Sequence, residues 1–217
     1  RALIVTDSLF SREGDLAPLA ELVELKKRFD CHLLIDEAHA TGVLGQSGRG
    51  AAELLGVADD VDVTVGTLSK ALGSLGGFVA GPKVVIDMLR NTARPYIYTT
   101  ALPPAMCAAA MAAIDIVQQQ PQRRERLQQM AAALRERLSR AGIDTLGSAS
   151  QIIPLVIGGA AAAVDVSRRL LEAGFLVPAI RPPTVAPGTS RLRISLSAGH
   201  DPDDLRRFAD VVVDCIG

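Results

Sequence analysis

Three short apolar runs, ALIV at 2–5, CHLLID at 31–36 and VDVTVGT at 61–67, stand at the front of this chain. Between the first two, LAPLAELVELKKRF carries its apolar residues at helical spacing. Strand, helix, strand in that order predicts a parallel βαβ unit, which commits the chain to an α/β architecture. A short helical stretch near GAAELLG precedes the third run, and GGFVAG at 76–81 reads as a further strand flanked by glycines. Ligands of such sheets sit outside the carboxyl ends of the strands. The residues to inspect are therefore Asp7 to Ser11, Asp36 to His39 and Thr67 to Lys70.

From Pro103 the character changes. PPAMCAAAMAAIDIVQQQ reads as an apolar helix that Pro121 interrupts. RRERLQQMAAALRERLSRAG continues it, with Leu127, Met130, Ala131, Leu134 and Leu138 on one face, arginines on the other and Gly142 as the stop. The arginine face is read as a solvated helix surface in preference to an anion-binding patch. From Gln151 the pattern is strand (IIPLVIG), helix (AAAVDVSRRLLEAG), strand (LVPAI), a Pro-rich loop (RPPTVAPGTS), strand (RLRISLS) and helix (DPDDLRRFADVVVDCI). Asp201 is placed to cap the last helix, with Pro202 at its first position. This predicts two domains divided near residue 117: 1–117 as part of a large, mostly parallel-sheet domain, and 118–217 as a small α+β domain.

Composition narrows the function classes. With 23 Lys+Arg against 24 Asp+Glu there is no basic excess to hold nucleic acid or an anionic membrane surface. Aromatics at 3%, with no Trp, leave few rings for stacking on bases. No apolar run approaches the roughly 20 residues that cross a bilayer. Cys31, Cys107 and Cys215 are odd in number and widely spaced, which points away from a disulfide framework and toward a reducing, cytoplasmic setting. Because the chain opens at Arg1, directly within a strand-like run, an N-terminal portion is expected to be missing from it.

Two positions carry chemistry. Asp36 ends an apolar strand, where a carboxylate is costly unless a cation or a hydrogen-bond donor meets it. Taken alone it fits a cap on the following loop as well as a ligand role, with half of a metal site, shared with His39, as a third reading. No further Cys or His cluster accompanies the pair, so no metal site is expected. Lys70 follows Thr67 and Ser69 at another strand end, and Gly73, Gly76 and Gly77 follow it. A lysine in a confined, partly desolvated place has a lowered pKa and forms imines with carbonyls. The spacing departs from the phosphate loop of nucleotide hydrolases, where Lys directly follows Gly. A strand-end carboxylate followed by a strand-end Thr-x-Ser-Lys fits a cofactor with a cationic ring nitrogen, a phosphate and an aldehyde, which is pyridoxal phosphate.

Five ordered stretches, SLFSREGDLAPL, LLIDEAHATGVLGQSGRG, DVTVGTLSKALGSLGGFVAG, YIYTTALPP and IRPPTVAPGTSRLRIS, resemble the α-oxoamine synthases, pyridoxal-phosphate enzymes of the aspartate aminotransferase fold (fold type I). The resemblance covers essentially the whole chain. It implies Lys70 as the residue holding the cofactor, Asp36 as partner of the ring nitrogen, His39 and Ser11 on the ring's phenolic oxygen, and Thr67 on the phosphate. It further implies that Thr100 reaches the cofactor phosphate of a neighbouring subunit, hence a homodimer with shared active sites, and that Arg193 binds the amino acid's carboxylate beside Thr184, with Arg181 as a neighbour. Arg191 shares the strand face of Arg193, so periodicity leaves open which of them points inward. The Arg-Pro-Pro form of the loop implies the members that join L-alanine to a pimeloyl thioester with loss of carbon dioxide, over those that use glycine with acetyl or succinyl thioesters. The family has Pro directly after Thr-Val, whereas here Ala186 intervenes before Pro187. A chain that only dimerises or binds, without catalysis, is the competing expectation.

Overall fold

The computed structural model describes residues 2–216. Their contacts divide into two compact units, 1–10 with 16–124, and 11–15 with 125–217.

The first unit is built on β1 (Leu3–Asp7), α1 (Leu19–Phe29), β2 (His32–Asp36), α2 (Ala51–Leu54), β3 (Val63–Thr67) and β4 (Gly77–Ala80). The sheet order is β1-β2-β3-β4, parallel for the first three strands. β4 returns antiparallel to β3, pairing Thr67 with Gly77 and Val65 with Val79, because only nine residues separate the two strands and a parallel return needs a longer crossover. α1 buries Leu19 and Val23, and Leu33 and Ile35 of β2 are fully buried. Lys26 in the last turn of α1 donates to the Asp60 carbonyl and pairs with Asp62 at 2.7 Å. Beyond the sheet come α3 (Lys83–Thr92), α4 (Arg94–Ile97) and α5 (Pro104–Gln119). α3 and α4 were not anticipated, since β-branched Val84, Val85 and Ile86 and the proline at 95 weaken the helical signal.

In the second unit α6 (Gln122–Arg140) buries Leu127, Met130, Ala131, Leu134 and Leu138, the face predicted from periodicity. Two of its arginines depart from the expected solvated surface: Arg124 donates to the Val117 and Gln46 carbonyls, and Arg135 donates to the Ser150 carbonyl. The Arg124 bonds run to 117 and 46, so the first turn of α6 groups with the first unit and the division falls at 124/125, past the residue 117 read from sequence. β5 (Ile152–Gly158), α7 (Ala160–Glu172), β6 (Ala179–Ile180), β7 (Ser190–Ser195) and α8 (Pro202–Ile216) follow. The antiparallel order is β5-β7-β6, with β7 central. Pro154 sits in edge strand β5, where its missing N–H costs least. Asp201 Oδ1 accepts the Asp203 N–H at 2.8 Å and caps α8. Among the described residues no helix is long and apolar enough to cross a membrane.

Candidate active site

The register of the first unit sets three strand ends side by side. Asp7 pairs with Asp36, Asp36 with Val65, and Thr67 lies two residues beyond Val65 on the same face. Asp36 is half-buried, and its Oδ1 accepts the Ala38 N–H at 2.8 Å, so a backbone donor meets the carboxylate that sequence reading found in need of one. His39 follows in the turn after β2.

The turn itself is anchored by a residue that the sequence reading passed over. Glu37 is 1% exposed, and its carboxylate accepts from Ser8 Oγ at 2.6 Å, Ala51 N at 2.9 Å and Ala52 N at 2.8 Å. It therefore satisfies the otherwise unbonded N–H groups at the start of α2. Its own carbonyl accepts the N–H groups of Ala40 and Thr41, which closes the turn carrying His39. Gly50 is what admits the carboxylate: its φ is +128°, and a Cβ there would lie 2.4 Å from Glu37 Oε2. Asp36 thus caps the turn that follows β2, through the Ala38 N–H, while its neighbour caps the start of α2. The available signal was period-two alternation, which turns Glu37 to the opposite face from Asp36, toward the small residues Gly50, Ala51 and Ala52.

Thr67 closes the loop between β3 and β4. Its Oγ1 accepts the Ser69 N–H at 3.2 Å, donates to the Gly76 carbonyl at 3.1 Å and lies 2.7 Å from Ser69 Oγ. Leu68 N–H also bonds the Gly76 carbonyl, and Gly73 N–H the Lys70 carbonyl. Two adjacent hydroxyls, Thr67 and Ser69, and the Lys70 ammonium therefore sit on one tightly bonded loop. Lys70 is exposed, together with Ser69, Ala71 and Gly73. This departs from the confined setting expected for it: the small side chains around it supply no cover. Thr100 lies in the exposed stretch between α4 and α5.

The other predicted residues belong to the second unit. Ser11 starts the 11–15 segment. Thr184 is exposed on a turn in which its N–H bonds the Arg181 carbonyl at 3.0 Å; Arg181 is exposed too, Pro182–Pro183 is cis, and Val185 is buried. The two arginines of β7 differ in their surroundings. Arg191 is buried and pairs with Glu13 at 3.0 Å. Arg193 is half-buried, burial pushes its guanidinium below the ordinary arginine value, and its Nε is buried with no acceptor among the described residues. A cation desolvated in this way and left with an unused donor matches a ligand carboxylate.

The donor set fits pyridoxal phosphate part by part: a carboxylate for a cationic ring nitrogen, paired hydroxyls for an anionic group and an amine for an aldehyde.

The family model described as aminotransferase class I and II matches residues 1–212. The chain is 53% identical over 209 residues to a Geobacter sulfurreducens protein named 8-amino-7-oxononanoate synthase, covering 95% of this chain and 54% of that one. A solved serine palmitoyltransferase with PLP superposes with a TM-score of 0.94 at 34% identity, covering 98% of this chain and 54% of that one. An 8-amino-7-oxononanoate synthase structure from Francisella tularensis gives 0.87 at 28% identity, covering 99% and 62%. The chain spans about half the length of the curated relatives it matches. The α/β fold with its strand-end carboxylate and lysine, the family match over nearly all its residues and the agreement with these structures establish that the chain belongs to the aminotransferase class I and II family.

Proposed function

We propose that this chain is the part of a pyridoxal-phosphate-dependent α-oxoamine synthase that carries the cofactor lysine and the substrate arginine, and that the enzyme condenses L-alanine with a pimeloyl thioester. The products would be 8-amino-7-oxononanoate, carbon dioxide and the free thiol, a step of biotin biosynthesis. The observation that carries the cofactor reading is the strand-end row in which Asp36 and Thr67 face the same way with Lys70 on the loop that follows. The substrate reading rests on relatives named 8-amino-7-oxononanoate synthase at about half identity.

Pyridoxal phosphate, when bound, supplies an aldehyde and an electron-withdrawing ring that takes up the electron pair left when a bond to the amino acid's α-carbon breaks. The chain's own residues do the rest. Lys70 Nζ would hold the aldehyde carbon and would be the base that receives the α-proton. Asp36 keeps the ring nitrogen protonated by opposite charge. Ser11 and His39 hydrogen-bond the phenolic oxygen, and Thr67, beside Ser69, holds the phosphate. Arg193 grips the alanine carboxylate with its planar fork, next to Thr184.

A homodimer completes the proposal, with Thr100 reaching the neighbouring subunit's phosphate. It is supported by the exposed apolar surface on both sides of Thr100: Tyr96 at 65%, Tyr98 at 79% and Leu102 at 38% exposure. A second reading is that the chain only binds or dimerises.

Product analysis with alanine or glycine against pimeloyl, acetyl and succinyl thioesters tests the assignment. The expected result is 8-amino-7-oxononanoate from alanine and the pimeloyl thioester alone. Preferred turnover of glycine with a shorter acyl group overturns the substrate class. No product from any pair, with the cofactor bound, favours the second reading.

A further inference from the structure

Arg191 and Arg193 leave the same face of β7, two residues apart, and both are cations that a carboxylate attracts. Neutralisation distinguishes them. Arg191 Nη1 donates to Glu13 Oε1 at 3.0 Å, and its Nε donates to the Thr189 carbonyl at 3.1 Å. Glu13 comes from the 11–15 segment, remote in sequence but clustered with the second unit. That segment is held at its centre: the Gly14 carbonyl accepts Ala149 N–H at 3.0 Å and Ser150 Oγ–H at 2.9 Å. A Cβ on Gly14, whose φ is +72°, would lie 1.9 Å from the Ile152 carbonyl oxygen, so only glycine lets the segment seat this closely. Arg12, beside Glu13, donates to the Thr184 carbonyl at 2.5 Å and so ties the Thr184 turn to the same segment.

We propose that Glu13 is a positioning residue that keeps Arg191 from competing for the amino acid's carboxylate, so that the substrate meets Arg193 and no second cation on the strand. The inference rests on the reading of Arg193 as the carboxylate-binding residue. A carboxylate fixed by the fold faces Arg191 at an effective concentration far above that of a free amino acid, so the substrate does not displace it. Without that partner Arg191 is a buried cation with its fork unfilled, and a substrate carboxylate is the complement it lacks. Two strand residues correspond to about 7 Å. An amino acid captured by Arg191 is displaced from its reacting position by that much, and a shift of about 1 Å already costs on the order of a hundredfold.

The test uses Glu13→Gln in the cofactor-loaded protein, with the double variant Glu13→Gln/Arg191→Met and with Arg193→Met as controls. Unproductive capture by Arg191 lowers kcat and the L-alanine KM together, each by about tenfold, and leaves kcat/KM nearly unchanged. A merely packing role for Glu13 does not produce that parallel fall. The double variant removes both charges of the pair and is expected to return kcat to within about twofold of the unmodified protein, in keeping with the tolerance of folds for loss of both partners. Side-chain nitrogen NMR supplies a readout apart from turnover: L-alanine shifts the Arg193 Nε–H signal in the unmodified protein, and the Arg191 signal as well in Glu13→Gln. The inference is overturned by unchanged kcat and KM in Glu13→Gln, by an Arg191 signal that stays still in that variant, or by a double variant as impaired as the single one. If Glu13→Gln does not fold, the double variant decides by its kcat. An unchanged alanine KM in Arg193→Met instead sinks the reading of Arg193, and the Glu13 inference falls with it.

Discussion

Arg191 and Arg193 share one face of one strand, yet Arg191 ends on Glu13 at 3.0 Å while the Nε of Arg193 is buried without an acceptor among the described residues. Identical side chains at adjacent positions of the same face are thereby given different jobs by their neighbours. Hydrogen bonds to charged groups contribute about 1.5–3 kcal/mol. Arg193→Met is accordingly expected to raise the L-alanine KM by about 10- to 150-fold. Steady-state kinetics against alanine, with the thioester saturating, measures it.

Asp36 and Lys70 give separable phenotypes. Lys70→Ala is expected to abolish both turnover and the visible absorbance of covalently held cofactor, with the circular dichroism spectrum unchanged. Asp36→Asn keeps the acceptor for the Ala38 N–H but loses the charge. An opposite charge within about 4–6 Å shifts a pKa by about 1–3 units, so ring protonation, and turnover with it, should fall by about 10- to 1000-fold. A pH–rate profile displaced toward acid in Asp36→Asn is the accompanying signature.

Glu37 is predicted to matter for stability before it matters for catalysis. Glu37→Ala strips the acceptor from Ser8 Oγ and from the Ala51 and Ala52 amides, all at buried positions. Leaving buried donors unsatisfied costs about 1–3 kcal/mol each, so a loss of about 3 kcal/mol or more in urea unfolding is expected. Glu37→Gln retains one carbonyl acceptor and should lose less. Equal loss in both variants would show that shape, and not hydrogen bonding, is what the position supplies.

Asp62 links the first unit's stability to acid. Burial works against its charge, but the bond from Lys26 and the Leu33 N–H, with the Lys26 charge and His32, outweigh it and hold the carboxyl below the ordinary aspartate value. A depressed folded-state pKa contributes stability that is complete above the unfolded value of about 3.9 and is lost as pH falls through the lower folded one. Asp62→Asn should therefore lower the urea midpoint at neutral pH and flatten its fall below about pH 4. Parallel acid limbs in the two proteins would refute the linkage.

The sequence was legible where local pattern and burial coincide. The apolar runs at the front of the chain became the parallel strands β1, β2 and β3, because short apolar runs joined by a helical crossover form parallel βαβ pairs. The heptad-like face of α6 became its buried face residue for residue. It was less legible where Val84 to Ile86 favoured extended structure and a helix formed instead. Their propensity is a few tenths of a kcal/mol per residue, which the surrounding fold overrides.

By itself, then, the sequence determined which residue types stand at the strand ends and that the chain is an α/β protein with a strand-end carboxylate and lysine, since periodicities of 2.0 and 3.6 are local properties of the backbone. The tertiary structure alone decided that Glu37 rather than Asp36 caps the buried helix start, and that Glu13 engages Arg191 across 178 residues of chain while the Nε of Arg193 has no acceptor among the described residues. Those outcomes depend on which carboxylate arrives beside which donor, and that follows from chain segments brought together in space, about which spacing along the chain carries no information.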